Sequence, residues 1–288
     1  MQPMKPAKEK ILPVVISALN EDIGSGDLTT AFVFEKDMSV RAEIIAKEEC
    51  IIAGIDVARR VFDTLNERIE FTSLYEDGSM VKKGKKVIFL KGPVKSILAG
   101  ERTALNFLGR LSGIATLTGK FVRNVKGTGA KILDTRKTTP GMRMLEKYAV
   151  TAGGGYNHRA GLWDGVLIKD NHLAGLKFKV ESSKLKVIRD SVDAAKKRGY
   201  KNIEIEVDGL KEFQAALEAG ADIIMLDNMK REDIKKAVRM NRRKALLEVS
   251  GGVNLDNVRA IAKTGVDRIS VGSLTHSAPS IDLSLEIA

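Results

Sequence analysis

The richest candidate site in the sequence is a cluster of basic residues between Leu133 and Leu173. Its members share a side chain that can bind an anion, and they are Arg136, Lys137, Arg143, His158, Arg159 and Lys169. Guanidinium groups form paired hydrogen bonds with carboxylates and phosphates, so several of them near strand ends predict a site for a small polyanion. An ordinary surface cation is the alternative for any one of them. Arg143 is set aside on that ground, because it falls inside a helix predicted to begin after Pro140.

Glu206 and Asp227 form a second candidate group, because each ends one of two successive predicted strands. In a barrel of parallel strands these carboxylates would lie side by side over the mouth. Mg²⁺ is commonly held by one or two carboxylates together with phosphate oxygens, so the pair predicts a Mg²⁺ site shared with a substrate pyrophosphate. Pairing of both with nearby lysine or arginine is the alternative. Glu204 lies on the same strand face one layer lower and is predicted to be a buried structural partner.

Two glycine-containing loops late in the chain are candidate phosphate sites. Ser250-Gly251-Gly252 follows one predicted strand, and Gly272-Ser273 follows the next. Backbone N–H groups in such loops form anion-binding nests, and barrels often bind a phosphate between their last two strands. Two ordinary turns would have the same composition, and the basic cluster favours the phosphate interpretation. An earlier run, Gly153–Gly155, predicts a close approach of the backbone to a ligand just before His158.

The histidines do not form a metal-binding motif. His158, His172 and His276 lack the spacing of zinc ligands, and Cys50 is the only cysteine. We interpret His158 as a substrate contact and His172 as a hydrogen-bonding support. Lys169 could form a Schiff base, as lysines at barrel strand ends do, but the neighbouring cations favour anion binding. The sequence contains no dinucleotide fingerprint and no P-loop, which argues against enzymes that use a nicotinamide cofactor or a P-loop.

Six short aliphatic runs, separated by helical stretches, are expected to position these residues. The runs are Lys131–Arg136, Gly165–Lys169, Asn202–Val207, Ile223–Asp227, Ala245–Ser250 and Arg268–Gly272. Such alternation predicts βα units around a parallel sheet. The number and spacing of the runs favour an α/β barrel over an open doubly wound sheet. Barrels build active sites at the carboxyl ends of their strands, where the candidate residues fall, so the pattern also predicts an enzyme.

The residues before this region mix strand and helix signals and predict a smaller α/β sandwich domain. The signals are strands at Val40–Ala46 and Val87–Leu90 and helices at Ile55–Leu65 and Glu101–Leu111. We expect this domain to span 1–114, joined by 275–288, and the barrel that carries the active site to span 115–274. Arg102 and Arg110 on the last of these helices are candidate polar protrusions.

The composition is that of a folded protein in a reducing compartment. Of 288 residues, 43% are hydrophobic and 30% are charged, which excludes intrinsic disorder. The single cysteine excludes an intramolecular disulfide. Aromatic residues make up only 5%, which weakens a stacking platform for single-stranded nucleic acid. We therefore assign the formal net charge of +11 to solubility, with nucleic-acid binding as the alternative.

The apolar run Ile11–Leu19 bears on the expected location. It follows a basic stretch, as in a signal peptide, but Asn20-Glu21-Asp22 stands where small residues would precede cleavage. Its apolar residues repeat at helical spacing and predict an amphipathic helix. No stretch reaches the ~18 apolar residues that span a bilayer. We expect a cytoplasmic protein with no membrane partner and no nucleic-acid partner.

The motif-bearing segments together resemble the quinolinate phosphoribosyltransferase family over almost the whole chain. The matching stretches are EDIGSGDLTT (21–30), ERTALNFLGRLSGIAT (101–116), DTRKTTPGMR (134–143), GGGYNHRAGLWDGVLIKDNH (153–172), EIEVDGLKEF (204–213), GADIIMLDN (220–228), EVSGGV (248–253) and VGSLTHSA (271–278). The resemblance implies an incomplete TIM-like barrel of the type II phosphoribosyltransferases. It also implies that the nitrogen of quinolinate attacks C1 of 5-phosphoribosyl-1-pyrophosphate. Pyrophosphate then leaves with Mg²⁺, and the 2-carboxylate departs as CO₂ to give nicotinate mononucleotide for NAD biosynthesis.

Carried over motif by motif, the resemblance implies three groups of site residues. The quinolinate carboxylates are surrounded by Arg102, Arg136, His158, Arg159 and Lys169. Thr135 also binds substrate, Lys137 lies near the phosphates, and Glu206 and Asp227 serve the metal and the ribose. The 5-phosphate is cradled by Ser250, Gly251 and Gly252 together with Val271, Gly272 and Ser273. Lys137, Glu206 and Asp227 are the implied catalytic residues.

The resemblance further implies a homodimer in which Arg102 reaches the site of the neighbouring subunit. That arrangement gives a role to a residue outside the barrel strands. Four alternatives stay open: a related barrel protein linked to molybdate transport, a transferase for another pyridine acid, a basic nucleic-acid-binding protein, and a Schiff-base lyase that uses Lys169. Arg102, Lys169 and the pair His158-Arg159 together favour a dicarboxylate substrate.

Overall fold

The computed structural model describes residues 8–177 and 183–288. The helices, in chain order, are α1 (Lys8–Ile23), α2 (Leu28–Val33), α3 (Ile55–Leu65), α4 (Val94–Val125), α5 (Arg143–Ala152), α6 (Asp170–Lys177), α7 (Lys184–Lys197), α8 (Leu210–Glu218), α9 (Arg231–Asn241), α10 (Val258–Ala262) and α11 (Ser273–His276). The strands are β1 (Ser39–Ala46), β2 (Cys50–Ile51), β3 (Glu70–Ser73), β4 (Met80–Val81), β5 (Lys86–Pro93), β6 (Lys131–Leu133), β7 (Leu167–Ile168), β8 (Glu204–Val207), β9 (Ile223–Asp227), β10 (Leu246–Ser250), β11 (Arg268–Ser270) and β12 (Leu283–Ile287).

The described residues form two compact units. The first contains the residues up to Gly119 together with Lys137–Gly155 and Leu274–Ala288. The second contains Lys120–Arg136 and Tyr156–Ser273. Each unit has its own sheet, and each sheet is explained by the sequence pattern of its strands.

The second unit is built on a parallel sheet with the strand order β6-β11-β10-β9-β8-β7. The central strand β9 is buried along most of its length, as expected for strands joined by helical crossovers. All neighbouring strands run parallel, so their carboxyl ends meet at one edge. Within the described ranges no strand pairing joins β6 to β7, so the barrel is incomplete.

Each of the six predicted runs contains one strand of this sheet, although several strands are shorter than their runs. β6 ends at Leu133 rather than at Arg136, because its pairing with β11 stops where Ser270 faces Leu133. The next residue, Asp134, donates its backbone N–H to Tyr156 O at 3.1 Å instead. The polar residues that follow therefore leave the sheet at its carboxyl edge.

The first unit contains an antiparallel sheet with the order β12-β1-β5-β3. Alternate residues of β1 are buried, as expected for a strand with one face on the core. β12 comes from the far end of the chain and pairs with β1, so that Leu285 faces Ile44. Helix α3 coincides with the predicted Ile55–Leu65. The predicted fold class, an incomplete TIM-like α/β barrel with an N-terminal α/β sandwich domain, is confirmed by this sheet together with the parallel one.

Helix α4 is much longer than the predicted Glu101–Leu111, since it runs for 32 residues. Glycines within it weaken the helical signal, because glycine lowers helix propensity. Gly109 and Gly113 are instead sites of close packing, where the absence of a side chain leaves room for the carbonyl oxygens of Ile281 and Pro279. Long as α4 is, neither it nor any other helix among the described residues is apolar enough to cross a membrane.

We predict that Gly113→Ala lowers the free energy of unfolding by about 2 kcal/mol or more, because the added Cβ would overlap the carbonyl oxygen of Pro279. Gly175→Ala is the matched control. Gly175 also lies in a helix, α6, but an added Cβ there meets no heavy atom of the described residues within 4 Å. That variant should gain about 0.5–1 kcal/mol from helix propensity. Chemical denaturation of both purified variants measures the two values, and equal effects would contradict this packing.

Candidate active site

The carboxyl edge of the parallel sheet gathers the predicted acidic pair and several of its neighbours. Glu206 lies near the end of β8, while Asp227 ends β9 and Ser250 ends β10. Ser250 and Asp227 are direct partners in the parallel register. Lys169 directly follows β7. These side chains meet because parallel neighbours end at the same edge.

Glu206 is linked to a cation in the same unit. Its Oε2 lies 3.1 Å from Nζ of Lys169. For Glu206 this is the pairing with a nearby lysine that the sequence offered as the alternative to a Mg²⁺ site. The pKa of Glu206 is raised, mainly by burial; the hydrogen bond and charge of Lys169 lower it, and the charge of Asp227 raises it. Asp227 accepts a hydrogen bond from Nδ2 of Asn228 at 2.6 Å. The two carboxylates therefore repel each other across neighbouring strands, and Lys169 is the local counter-charge.

The backbone of Lys169 is held by the next turn of chain. Its N–H donates to Nδ1 of His172 at 2.9 Å. His172 therefore has the hydrogen-bonding support role that the sequence predicted. His172 lies in the first turn of α6, and Lys169 is the residue just before this helix.

Arg136 and Arg159 lie close enough to each other to interact electrostatically. Burial lowers the pKa of Arg159, and the positive charge of Arg136 lowers it further, while the charge of Glu204 raises it. Nη1 of Arg159 donates to the carbonyl oxygen of Gly165 at 3.3 Å. Two guanidinium groups held near each other against their mutual repulsion favour the binding of a dianion.

His158 is anchored at three of its polar atoms. Its backbone N–H donates to Oδ1 of Asp134 at 2.8 Å, and its Nδ1 accepts the backbone N–H of Arg159 at 2.8 Å. Its Nε2 lies 3.0 Å from Oε2 of Glu204 and 3.5 Å from Oε1 of Glu248. Glu204 is buried, as predicted, and Asp134 and Glu248 are fully buried.

Sequence reasoning missed Asp134 and Glu248. The signal for Glu248 was its position inside an otherwise aliphatic run, two residues before Ser250, just as Glu204 stands two residues before Glu206. Residues two apart on a strand share a face, so both glutamates lie one layer beneath the edge. Asp134 gave no comparable signal, because its partner is a backbone N–H that only the folded loop brings near.

Glu248 is in an unusual electrostatic environment. Burial raises its pKa to about 7, and the charge of Glu204 also raises it. The hydrogen bond from Ser270 lowers it, with Ser270 Oγ 2.5 Å from Glu248 Oε1. Its burial therefore favours the protonated form of the carboxyl group.

The loop after β10 has a backbone that favours glycine. Gly251 and Gly252 have φ angles of +92° and +61°, which L side chains rarely adopt. A Cβ at Gly251 would also overlap the side chain of Asn228. A cavity of about 340 Å³ opens beside this loop, with Ser250, Gly251, Asn228, Arg231 and Asn257 in its lining. The role of Ser250–Gly252 in holding a phosphate stays a prediction.

The loop after β11 has one backbone donor already engaged. Val271 is buried, and its N–H donates to Leu133 O at 2.9 Å within the sheet. Gly272 follows, and Ser273 begins the short helix α11. The role of these three residues in binding a phosphate likewise stays a prediction.

Gly153 and Gly155 are packing residues, and the expectation that their backbone approaches a ligand stays a prediction. A Cβ on Gly153 would overlap the carbonyl oxygen of Ala115. One on Gly155 would lie 2.8 Å from Cγ2 of Thr118. Both close approaches are to α4, and the missing side chains let this loop press against the helix.

Arg110 is not a protruding ligand contact, which corrects its assignment as a polar protrusion. Its Nη2 forms an ion pair with Oε1 of Glu146 at 2.7 Å, and its Nη1 donates to the carbonyl oxygen of Ala278 at 3.0 Å. Glu146 is fully buried and also accepts hydrogen bonds from Thr139. This network of the first unit holds the segment that begins at Lys137.

The predicted site residues are thus divided between the units. The second unit contains Thr135, Arg136, His158, Arg159, Lys169, Glu206, Asp227, Ser250, Gly251, Gly252, Val271, Gly272 and Ser273. Arg102, on α4, and Lys137 belong to the first unit, and both have exposed side chains.

Comparison with known protein families accounts for most of the chain. A family model described as quinolinate phosphoribosyl transferase, N-terminal domain, matches residues 27–112. The model described as quinolinate phosphoribosyl transferase, C-terminal domain, matches residues 114–286.

Individual relatives are similar over nearly their full length. A Bacillus subtilis protein named a probable nicotinate-nucleotide pyrophosphorylase (carboxylating) is 44% identical, over 93% of this chain and 90% of the relative. The nicotinate-nucleotide pyrophosphorylase (carboxylating) of Mycobacterium leprae is 40% identical over 94% of each. The solved structure of the nicotinate-nucleotide pyrophosphorylase from Francisella tularensis has a TM-score of 0.90 and 43% identity, and the match covers 100% of this chain and 99% of that one.

We predict that Glu248→Gln changes the pH dependence of stability. The raised pKa means that folding favours the protonated carboxyl, so this contribution is full at low pH and is lost as the pH rises through about 7. Between pH 5 and pH 8 the unfolding free energy of the unsubstituted protein should therefore fall relative to that of the variant, by about 1–3 kcal/mol. Denaturation curves at both pH values measure this difference. The exposed Glu67→Gln is the control, and parallel behaviour of all three proteins would contradict the prediction.

Proposed function

This chain belongs to the quinolinate phosphoribosyltransferase family, and we propose that it transfers the phosphoribosyl group of 5-phosphoribosyl-1-pyrophosphate to quinolinate. Pyrophosphate and CO₂ leave, and nicotinate mononucleotide forms as a step of NAD biosynthesis. The observation that carries the proposal is the interacting pair Arg136 and Arg159, in the same unit as the acidic pair Glu206 and Asp227. The basic pair suits a flat dicarboxylate, and the acidic pair suits a metal-bound pyrophosphate.

The basic residues of the second unit would bind and orient quinolinate. Arg136 and Arg159 repel each other, and a bound dianion would relieve that repulsion. Binding would therefore be favoured by the removal of an unfavourable interaction as well as by new hydrogen bonds. The pyridine nitrogen already has a lone pair, so its attack on C1 needs no general base. The work of these cations is to hold that nitrogen in line with C1.

Lys169 connects the two substrate regions. In the free protein it neutralises Glu206, with Nζ 3.1 Å from Oε2. Its side chain is 42% exposed, so exchange of this partner for a substrate carboxylate costs little free energy. Lys169 can therefore bind a carboxylate of quinolinate while Glu206 binds a cation.

Glu206 and Asp227 have the donor chemistry that Mg²⁺ requires. Both offer carboxylate oxygens from neighbouring strands, and the charge of Asp227 raises the pKa of Glu206, a repulsion that a divalent cation would remove. Bound there, Mg²⁺ would neutralise charge on the departing pyrophosphate. The same two carboxylates would stabilise the positive charge that develops on the ribosyl carbon.

The phosphate groups would be held by a separate set of residues. We assign the 5-phosphate to the loops Ser250–Gly252 and Val271–Ser273, supported by the left-handed backbone at Gly251 and Gly252 and by the cavity beside Ser250 and Gly251. Thr135 would add a hydroxyl to substrate binding. Lys137 would contribute a charge near the phosphates as a catalytic residue.

A homodimer would complete the site. Arg102 lies on α4 in the first unit with its side chain exposed, and apolar side chains on α1 and α2 are also exposed, including Ile16 and Phe32. We propose that Arg102 binds quinolinate in the site of the partner subunit.

We predict that the purified protein, given quinolinate, 5-phosphoribosyl-1-pyrophosphate and Mg²⁺, releases equal amounts of CO₂ and nicotinate mononucleotide. Nicotinate in place of quinolinate should not react, because it lacks the second carboxylate that the arginine pair needs. Arg159→Ala should lower kcat/KM for quinolinate by about a hundredfold, the loss expected for one charge-assisted contact pair. The exposed Arg198→Ala, on α7's carboxyl end, is the matched control. Turnover of nicotinate with rejection of quinolinate would overturn the proposal.

We predict that Arg102→Ala abolishes activity while the fold, checked by circular dichroism, is retained. Mixing it with Arg136→Ala should restore activity, because each mixed dimer would carry one intact site. Random exchange of subunits would restore about a quarter of the original activity. Arg123→Ala, another exposed arginine of α4, should stay active alone. Full activity of Arg102→Ala, or no recovery after proven subunit exchange, would contradict the shared site.

A further inference from the structure

A buried polar cluster lies beneath the carboxyl edge of the parallel sheet. It consists of His158, Glu204, Glu248 and Ser270, all in the second unit. Glu204 and Glu248 are 4% and 0% exposed. Buried carboxylates are costly unless they are paired, so their presence on otherwise aliphatic strands calls for a functional explanation.

A metal site is one explanation, and the hydrogen bonds of the imidazole argue against it. Ligand-type atoms of His158, Glu204 and Glu248 lie within 4.8 Å of one another. However, Nδ1 of His158 accepts the N–H of Arg159 at 2.8 Å, so Nδ1 carries no proton. Nε2 must then carry the proton of the neutral ring, and a protonated nitrogen donates a hydrogen bond and cannot ligate a metal. The cluster is therefore a hydrogen-bonded network.

We propose that Glu204 and Glu248 are positioning residues of the quinolinate pocket, because Glu204 accepts Nε2–H of His158, Glu248 lies beside that hydrogen bond, and His158 in turn holds the backbone of Arg159. The inference rests on the proposed function. Both oxygens of Glu204 are near Nε2, at 3.0 Å and 3.3 Å, and Oε1 of Glu248 lies at 3.5 Å. With Nε2 held from below, the ring presents Nδ1 to the N–H of Arg159 and cannot rotate or change tautomer without breaking a bond on each side.

Glu204 has an electrostatic role as well. Its negative charge raises the pKa of Arg159, against the effects of burial and of Arg136. A buried anion below two neighbouring guanidinium groups reduces their repulsion before substrate arrives. The pocket can then keep Arg136 and Arg159 close together in the free protein, ready for both carboxylates of one ligand.

Glu248 is oriented by a neighbouring strand. Ser270 Oγ on β11 lies 2.5 Å from its Oε1, which points that oxygen toward Nε2 of His158. Its Oε2 is buried and has no hydrogen-bond partner among the described residues. An unsatisfied buried oxygen is unfavourable, and a strand position with only a packing role would carry an aliphatic side chain.

NMR of the ring nitrogens tests the first link in the unsubstituted protein. The chain has three histidines, so His172→Gln and His276→Gln assign the signals and leave His158. We expect ¹⁵N shifts of a neutral ring protonated at Nε2. Glu204→Ala should give a mixture of tautomers, whereas Glu204→Gln should keep the single tautomer because its amide oxygen still accepts the bond. A ring of His158 protonated at Nδ1 in the unsubstituted protein would overturn the proposal.

Kinetics test the link to Arg159. Glu204→Ala and Glu248→Ala should raise KM for quinolinate by about ten- to a hundredfold, while KM for 5-phosphoribosyl-1-pyrophosphate changes by less than about threefold. Glu204→Gln keeps the acceptor of the Nε2–H bond but loses the charge, so it should raise KM for quinolinate less than Glu204→Ala does. Glu218→Ala, an exposed glutamate of α8, is the control. Unchanged KM for quinolinate, or equal increases for both substrates, would overturn the proposal.

The two levels of inference fail in different ways. If the unsubstituted protein does not use quinolinate, the proposed function is wrong, and the positioning role falls with it whatever the NMR shows. If that protein is active and the glutamate variants bind quinolinate normally, only the positioning role is wrong. Should the alanine variants not fold, Glu204→Gln and the NMR of the unsubstituted protein still decide the first link.

Discussion

The parallel pairing of Ser250 with Asp227 and of Val207 with Leu226 aligns the carboxyl ends of three neighbouring strands. Because side chains alternate along a strand, this register also sorts the acidic residues by depth. Glu206, near the end of its strand, stands at the mouth. Glu204, two residues earlier, stands below it. A slip of one residue would turn both to the other face, so the chemistry depends on the backbone hydrogen bonds of the sheet.

The residues at the mouth and the residues beneath it have different roles. At the mouth, Lys169, Glu206 and Asp227 are partly solvated and can exchange partners, as substrate binding requires. Beneath them, Glu204 and Glu248 are shielded from water, where hydrogen bonds are stronger and rearrangement is costly. The charged residues at the mouth can therefore change partners, while the glutamates beneath them keep theirs.

The sequence was sufficient for features that depend on local pattern. Six aliphatic runs predicted the six parallel strands, and their polar ends predicted where the candidate residues would meet. Contacts that depend on long-range packing were not predicted. Gly109, Gly113 and Gly153 gave no sign in the sequence that each packs against the carbonyl oxygen of another segment. Arg110 was interpreted as a polar protrusion, although the folded chain brings it to buried Glu146.

The pairing of β1 with β12 has a consequence for synthesis of the protein. β1 spans Ser39–Ala46, and its partner at the outer edge, β12, spans Leu283–Ile287, so that edge stays unpaired until β12 has been synthesised. An unpaired strand edge is a template for association with other chains. During synthesis, the outer edge of β1 is therefore exposed to association with other chains until β12 covers it.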